Sequence, residues 1–207
     1  VKWEDAALVE PFAIGSHCTG RGRVVEDDVV FILGTGTIGS IILQTCKAKG
    51  CKTVICCDIS DSSLERAKEY GADYVINSKT QDVVAEIQKI TDGHGCTVAF
   101  DSACFPGSLT MCLQPGILCN AGRMVPMGFC TEKEGITQAM INQRELDIIG
   151  SRMSQDAFEP TIARMEKGEY ITEGIATTFI KFSEIDKVFH LMDHPDESAK
   201  KMVILFD

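Results

Sequence analysis

No stretch of the 207 residues approaches the roughly 20 consecutive apolar residues that a membrane-spanning helix needs, and no leader segment is recognisable. No membrane-spanning helix is therefore expected, and the missing leader means little in a chain that begins at Val1. Positive charge is also scarce. Only 20 Lys and Arg stand against 30 Asp and Glu, for a formal net charge of −10. Such a chain is a poor general partner for nucleic acid or for an anionic membrane surface. The ten cysteines contain no C-x-x-C pair, and the four histidines (His17, His94, His190, His194) share no metal-ligand spacing with them. No metal site is expected within the chain. A chain of this size needs no disulfide framework, and most of the cysteines lie among apolar residues, where a thiol packs as a small hydrophobe. A reducing, cytoplasmic setting is expected. Low-complexity segments are missing too.

What is present is a globular composition, 44% hydrophobic and 24% charged, with a regular alternation of short apolar runs and helical patterns. Val29–Leu33 reads as a strand buried on both faces. Thr37 to Lys49 carries Ile38, Ile41, Ile42, Thr45 and Cys46 at helical spacing and stops at Gly50. Thr53–Cys57 is a second strand, ending at Asp58. A helix over Ser62–Tyr70, a strand over Tyr74–Ile76 and a helix over Asp82–Thr91 follow. The pattern then repeats: strand Thr97–Phe100 ending at Asp101, helix Gly107–Leu113, strand Arg123–Met127 ending at Gly128, helix Gly135–Asn142, strand Leu146–Gly150. Six strands alternating with helices specify an α/β fold, a doubly wound parallel sheet of the dinucleotide-binding type, over residues 17–150. Residues 1–16 read as a helical connection broken by Pro11. Residues 151–207 hold helices near Phe158–Lys167 and Ser183–Met192 and a terminal strand, Met202–Phe206, as parts of a second layer.

Between the first strand and its helix stand Gly34, Gly36 and Gly39, in the spacing G-x-G-x-x-G. Each glycine has a physical use there. Gly34 permits the tight turn, Gly36 lets the backbone approach a pyrophosphate, and Gly39 lets the helix lie close to the strand. The helix start, at Thr37 and Ile38, offers unpaired N–H groups and the positive end of a dipole to the phosphates. Asp58 lies 19 positions beyond Gly39, close to the roughly 20 expected of a carboxylate that accepts both hydroxyls of the adenosine ribose. A carboxylate there repels a 2′-phosphate, which favours NAD over NADP. The bland alternative is a surface Asp at a strand end. Methyltransferases that use S-adenosylmethionine share the fingerprint, but they commonly end in an antiparallel hairpin, and no hairpin signal appears between Arg123 and Gly150.

The stretches "VEPFAIGSHC", "VVFILGTGTIGSIILQTCKAKG", "AKEYGADYVINS", "VPMGF" and "KKMVILFD" resemble the zinc-dependent medium-chain dehydrogenases, above all their polyol and sugar-acid branch. The resemblance runs over essentially the whole chain but matches only the second part of such enzymes. It implies that the chain is the cofactor portion of a longer protein, flanked by pieces of a GroES-like catalytic domain, and that the zinc ligands lie outside it. It further implies roles for particular residues. Glu10 sits beside the catalytic zinc, and Met127 and Gly128 give the strand end that bonds the nicotinamide amide. Arg152 approaches nicotinamide and substrate. Ser102, Ala103 and Cys104 line the cofactor cleft, with Ile59 next to Asp58. The metal acts as a Lewis acid on a substrate alcohol, whose hydride passes to NAD. One departure is visible: the arginine that lies over the adenine in many polyol members is replaced by Ser63, so weaker NAD binding is expected. Relatives pair through their last sheet strand, so a homodimer through Leu146–Gly150 is expected. Two other readings stay open, a non-catalytic NAD(H) sensor and a zinc-free quinone reductase. The latter usually selects NADP with basic residues where this chain has Asp58 and Asp61.

Overall fold

The computed structural model describes residues 1–194 and 201–206; residues 195–200 and Asp207 of the expected C-terminal segment lie outside the described residues. Helices α1 (Trp3–Ala6) and α2 (Val9–Arg21) come first. There follow β1 (Val29–Leu33), α3 (Thr37–Ala48), β2 (Thr53–Asp58), α4 (Asp61–Glu69), β3 (Tyr74–Asn77), α5 (Val83–Ile90) and β4 (Cys96–Asp101). Then come α6 (Ser108–Cys112), β5 (Leu118–Pro126), α7 (Gln138–Asn142) and β6 (Asp147–Ile148). The six strands form one parallel sheet in the order β3-β2-β1-β4-β5-β6. The chain leaves β1 toward β2 and later returns to β4 on its other side. The two crossovers part there and open a crevice at the carboxyl ends of the strands.

Burial explains the apolar runs. In β1, Val30 and Ile32 belong to one core cluster and Phe31 and Leu33 to the other. In β2, Val54 and Cys56 separate from Ile55 and Cys57 in the same way. Helices cover both faces, so alternation disappears from the sequence. The first cluster includes Phe12 and Cys18 of α2 packed with Ile41 and Ile42 of α3.

The structure corrects the sequence reading at three places. Pro11 does not break α2, because it is the third residue of the helix and its missing N–H has no intrahelical partner to lose. A boundary drawn between residues 16 and 17 therefore cuts one continuous helix. β5 starts earlier than expected: Leu118 pairs with Cys96, the backbone irregularity around Ala121 (φ 56°) follows, and pairing resumes at Arg123 with Val98. β6 pairs through only Asp147 and Ile148 rather than through Leu146–Gly150. Leu146 instead donates its N–H to Ile141 and closes the end of α7.

Beyond β6 lie α8 (Phe158–Glu166), β7 (Thr178–Lys181), a 3₁₀ turn (Phe182–Glu184), α9 (Asp186–Asp193) and β8 (Met202–Leu205). β7 and β8 pair in parallel as a separate two-stranded sheet. Phe179, Phe182, Phe189 and Phe206 around it are all exposed by half or more.

Candidate functional site

The turn from β1 to α3 is built by its glycines. Gly34 has φ +86°, and a Cβ there would lie 2.8 Å from the Ala103 nitrogen, so only glycine fits both the conformation and the approach of the β4 end. A Cβ on Gly39 would stand 1.9 Å from the Gly34 carbonyl oxygen and 2.8 Å from Ser102 Oγ. Gly36 is different. Nothing lies within 4 Å of its Cβ position, and it is the N-cap of α3, which has no side-chain cap. The first N–H groups of a 12-residue helix, at Thr37, Ile38 and Gly39, thus follow an open, uncapped position at the positive end of the helix dipole. That is the geometry a phosphate fills.

Asp58 closes β2 beside this turn because β1 and β2 pair with Leu33 opposite Cys57. Its carboxylate is already engaged. Oδ2 accepts from the Thr35 N–H at 2.7 Å and from Thr35 Oγ1 at 3.0 Å, and Oδ1 accepts from the Ser60 N–H at 2.9 Å. A carboxylate offers about four lone pairs. In this arrangement one remains, on Oδ1, so the carboxylate has room for one ribose hydroxyl rather than two unless Thr35 turns aside. Thr35 itself is only 2% exposed.

Ser102 pins the end of β4 to the same turn: its Oγ donates to the Gly34 carbonyl at 2.7 Å and the Leu33 carbonyl at 3.0 Å. The result is a cleft of about 410 Å³ whose walls include Gly34, Gly36, Asp58, Ile59, Ser102 and Ala103. Phe105, 44% exposed, lines it as well, facing the same space as the exposed Ile59. Ser63 is buried in α4 and is not part of the wall. Cys57, at the cleft floor, is pushed up to about 12 by burial, so it stays a neutral thiol.

Farther along the crevice, Met127 donates its N–H to the Asp101 carbonyl at 2.9 Å, and Gly128 packs so tightly on Cys104 that a Cβ would fall 2.1 Å from Sγ. Buried Asp101 shapes this end, accepting from Ser108 Oγ at 2.5 Å and from the Cys104 N–H at 3.1 Å. A second cavity of about 220 Å³ opens between Asp101, Cys104, Gly128 and Glu134. Burial acts to raise the pKa of Glu134, but the Thr110 hydroxyl, and after it the N–H groups of Thr110, Gly107 and Leu109 around the start of α6, hold it below the usual carboxylate range. Arg152 stands with its guanidinium carbon 5.6 Å from the centroid of the Phe129 ring, which joins the segment after β6 to the loop after β5. Glu10 is exposed in the first turn of α2 and lines none of these clefts.

The structure thus brings Gly34, Gly36, Asp58, Ile59, Ser102 and Ala103 together in the first cleft, beside Cys57, Ser78 and Phe105, which sequence reasoning did not single out; nor did it single out Thr35, which bonds Asp58. Thr35 sits inside the glycine turn in plain view, yet its bond to Asp58 joins residues 23 apart. Among the described residues no three His, Cys, Asp or Glu side chains converge to hold a metal ion, and no helix is long and apolar enough to cross a membrane.

A profile of the family described as zinc-binding dehydrogenase matches residues 37–167. The starvation-sensing protein RspB of Escherichia coli K12 is 34% identical over 203 residues, which are 97% of this chain and 58% of that protein. Sorbitol dehydrogenase of Bacillus subtilis is 28% identical over 205 residues, 98% of this chain and 58% of the enzyme. Among solved structures, an alcohol dehydrogenase (rspB) from E. coli CFT073, complexed with NADH, superimposes with a TM-score of 0.90 at 31% identity and covers all of this chain and 60% of its own. The 2R,3R-butanediol dehydrogenase of B. subtilis gives a TM-score of 0.86 at 28% identity, covering 99% and 58%. The chain spans about 58% of the length of these curated relatives.

Proposed function

The chain belongs to the zinc-binding dehydrogenase family, and on that premise we propose that it is the NAD(H)-binding portion of a dehydrogenase that oxidises a secondary alcohol of a polyol or sugar acid by hydride transfer. The observation that carries this reading is the uncapped start of α3, open at Gly36 and flanked by Asp58. The pyrophosphate rests on the N–H groups that follow Gly36. One ribose hydroxyl donates to Asp58 Oδ1. The adenine lies between Ile59 and Phe105, whose ring takes over the face contact that Ser63 cannot supply. The nicotinamide reaches the end of β5 at Met127 and Gly128, beside Arg152. Phe129 holds that arginine in place.

Bound NAD supplies the hydride acceptor. This chain's own part is to hold the two nucleotides extended and to keep the nicotinamide end at the carboxyl edge of β4 and β5. A zinc ion does not fit the residues present, since no ligand set converges among those described. In this reading the zinc and most of the substrate pocket belong to the rest of the protein, and the helical stretch ahead of β1 and the segment after β6 return to it. Glu10 carries an exposed carboxylate on that return, and the exposed phenylalanines around β7 and β8 offer an apolar surface for the same neighbour. The ten free thiols suit a reducing cytoplasm. The edge at β6 is proposed to pair with a second copy across a two-fold axis.

Calorimetric titration of the chain with NADH and NADPH tests the proposal. One NADH per chain, bound more tightly than NADPH, is expected; no NADH binding, or equal affinity for both, overturns it. A purely sensory role, suggested by the name of the RspB relative, is separated by assaying the full-length protein for NAD-dependent polyol oxidation.

A further inference from the structure

The far end of α3 holds a feature unrelated to the nucleotide cleft. With 12 residues the helix is about 18 Å long, so its two ends are separate environments. Its last turn closes in a Schellman motif. The Cys51 N–H donates to the Cys46 carbonyl at 3.1 Å, the Gly50 N–H donates to the Lys47 carbonyl at 2.9 Å, and Gly50 is left-handed at φ +87°. In this motif the side chains at the first and last positions meet across the cap, usually as an apolar contact. Here both are cysteines, in the stretch C-K-A-K-G-C. They share one buried cluster and are unpaired. A hydrogen bond between their own backbones already holds them close, as a disulfide requires, its Cα atoms standing about 4.4–6.8 Å apart.

The two thiols are not equivalent. Cys46 is enclosed; its contact with the Cys51 thiol and then burial hold its pKa well above the ordinary value. Cys51 lies just under the exposed Gly50 and Lys52, and its Sγ donates to the Val25 carbonyl at 3.2 Å. The hydrogen bond with Cys46 lowers its pKa, with Lys47 and Lys49 adding to that and burial and Asp28 opposing. Cys51 lies between exposed residues and Cys46 stands enclosed behind it, the arrangement of an attacking and a resolving cysteine.

We propose that Cys46 and Cys51 form a redox-active dithiol that a peroxide converts to an intrachain disulfide, clipping the end of α3 to the chain entering β2. Fraying of the last helical turn admits the oxidant. The Cys51 thiolate attacks one peroxide oxygen, the O–O bond breaks, and the displaced hydroxide leaves as water after taking a proton, which gives a sulfenic acid. Cys46 Sγ then attacks that sulfur; the S–S bond forms, the S–O bond breaks, and the Cys46 proton departs with the second water. Two thiols lose two electrons and two protons, and hydrogen peroxide becomes two waters. An external thiol reverses the change by exchange.

The test is graded hydrogen peroxide on the 207-residue chain, alkylation after unfolding, and tryptic mapping. Cleavage after Arg23, Lys47, Lys49 and Lys52 places Cys46 alone in peptide 24–47 and Cys51 alone in peptide 50–52, so the bond is assigned without ambiguity. The expected result is a linked pair of those two peptides as the principal disulfide, lost on treatment with dithiothreitol. In Cys46→Ser the linked pair disappears and Cys51 becomes reactive to dimedone, with the far-UV circular dichroism unchanged. The proposal is overturned if Cys46 and Cys51 stay alkylatable while other cysteines oxidise. It is also overturned if Cys51 proceeds to sulfinic acid in the unsubstituted chain with no linked pair formed.

Discussion

Replacing Asp58 by Ala separates two uses of one carboxylate. The structure gives Asp58 three internal donors, the Thr35 N–H, the Thr35 hydroxyl and the Ser60 N–H, and leaves one lone pair free on Oδ1. A single ribose hydroxyl bonded to a charged acceptor contributes roughly 1.5–3 kcal/mol, part of it offset because both groups give up water. The expected loss of NAD affinity is therefore about ten- to a hundredfold, at ~1.4 kcal/mol for each factor of ten. NADP affinity should not fall, because a negative charge that opposed its 2′-phosphate is gone, so selectivity shifts toward NADP. The substitution also orphans the Thr35 N–H and hydroxyl, which are almost wholly buried. Leaving such donors unsatisfied costs about 1–3 kcal/mol. For a domain of this size each 1 kcal/mol lowers Tm by about 2–4 °C. Calorimetric titration and thermal unfolding read the two effects independently. Thr35→Val divides them further: it removes only the hydroxyl's bond and frees a second lone pair for ribose. It should lower Tm while leaving NAD affinity unchanged or higher. If Asp58→Ala binds NAD as tightly as the unsubstituted chain, the carboxylate serves the turn alone and the ribose assignment fails. If Thr35→Val loses as much affinity as Asp58→Ala, the turn rather than the charge governs binding.

Two glycine substitutions should fail in opposite ways. Gly36→Ala, with open space around the new methyl, should keep its Tm within a degree or two and lose most NAD binding, whereas Gly39→Ala, 1.9 Å from a backbone oxygen, should unfold at a lower temperature by several degrees; the pair is checked by scanning calorimetry beside titration. Phe105→Ala should weaken NAD by roughly five- to a hundredfold, as base–aromatic stacking contributes about 1–3 kcal/mol, with no change in stability because the ring is 44% exposed; an unchanged Kd removes Phe105 from the adenine site. Sedimentation should show a dimer, and Ile148→Lys on the open edge of β6 should shift it to monomer; a monomer before substitution, at micromolar concentration, refutes pairing through that edge.

The sheet was legible because burial on both faces writes itself as unbroken apolar runs, and the glycine turn was legible because its spacing is local. Elements whose limits depend on partners were not. Pro11 reads as a breaker, yet position in the first turn makes it harmless, because α2 begins at Val9 just after the buried Leu8. β6 reads as a five-residue strand, Leu146–Gly150, but is shortened because Leu146 spends its N–H on α7. Asp58 shows where spacing runs out. Its distance from Gly39 is the spacing expected of a ribose carboxylate, and the parallel register that sets Leu33 against Cys57 brings Asp58 to the glycine turn. That same register puts it within 2.7 Å of the Thr35 N–H. Binding a ribose and fastening the turn both demand an acid at this strand end. The spacing alone does not reveal that the side chain proposed for the ribose also fastens the turn, with three of its lone pairs already taken.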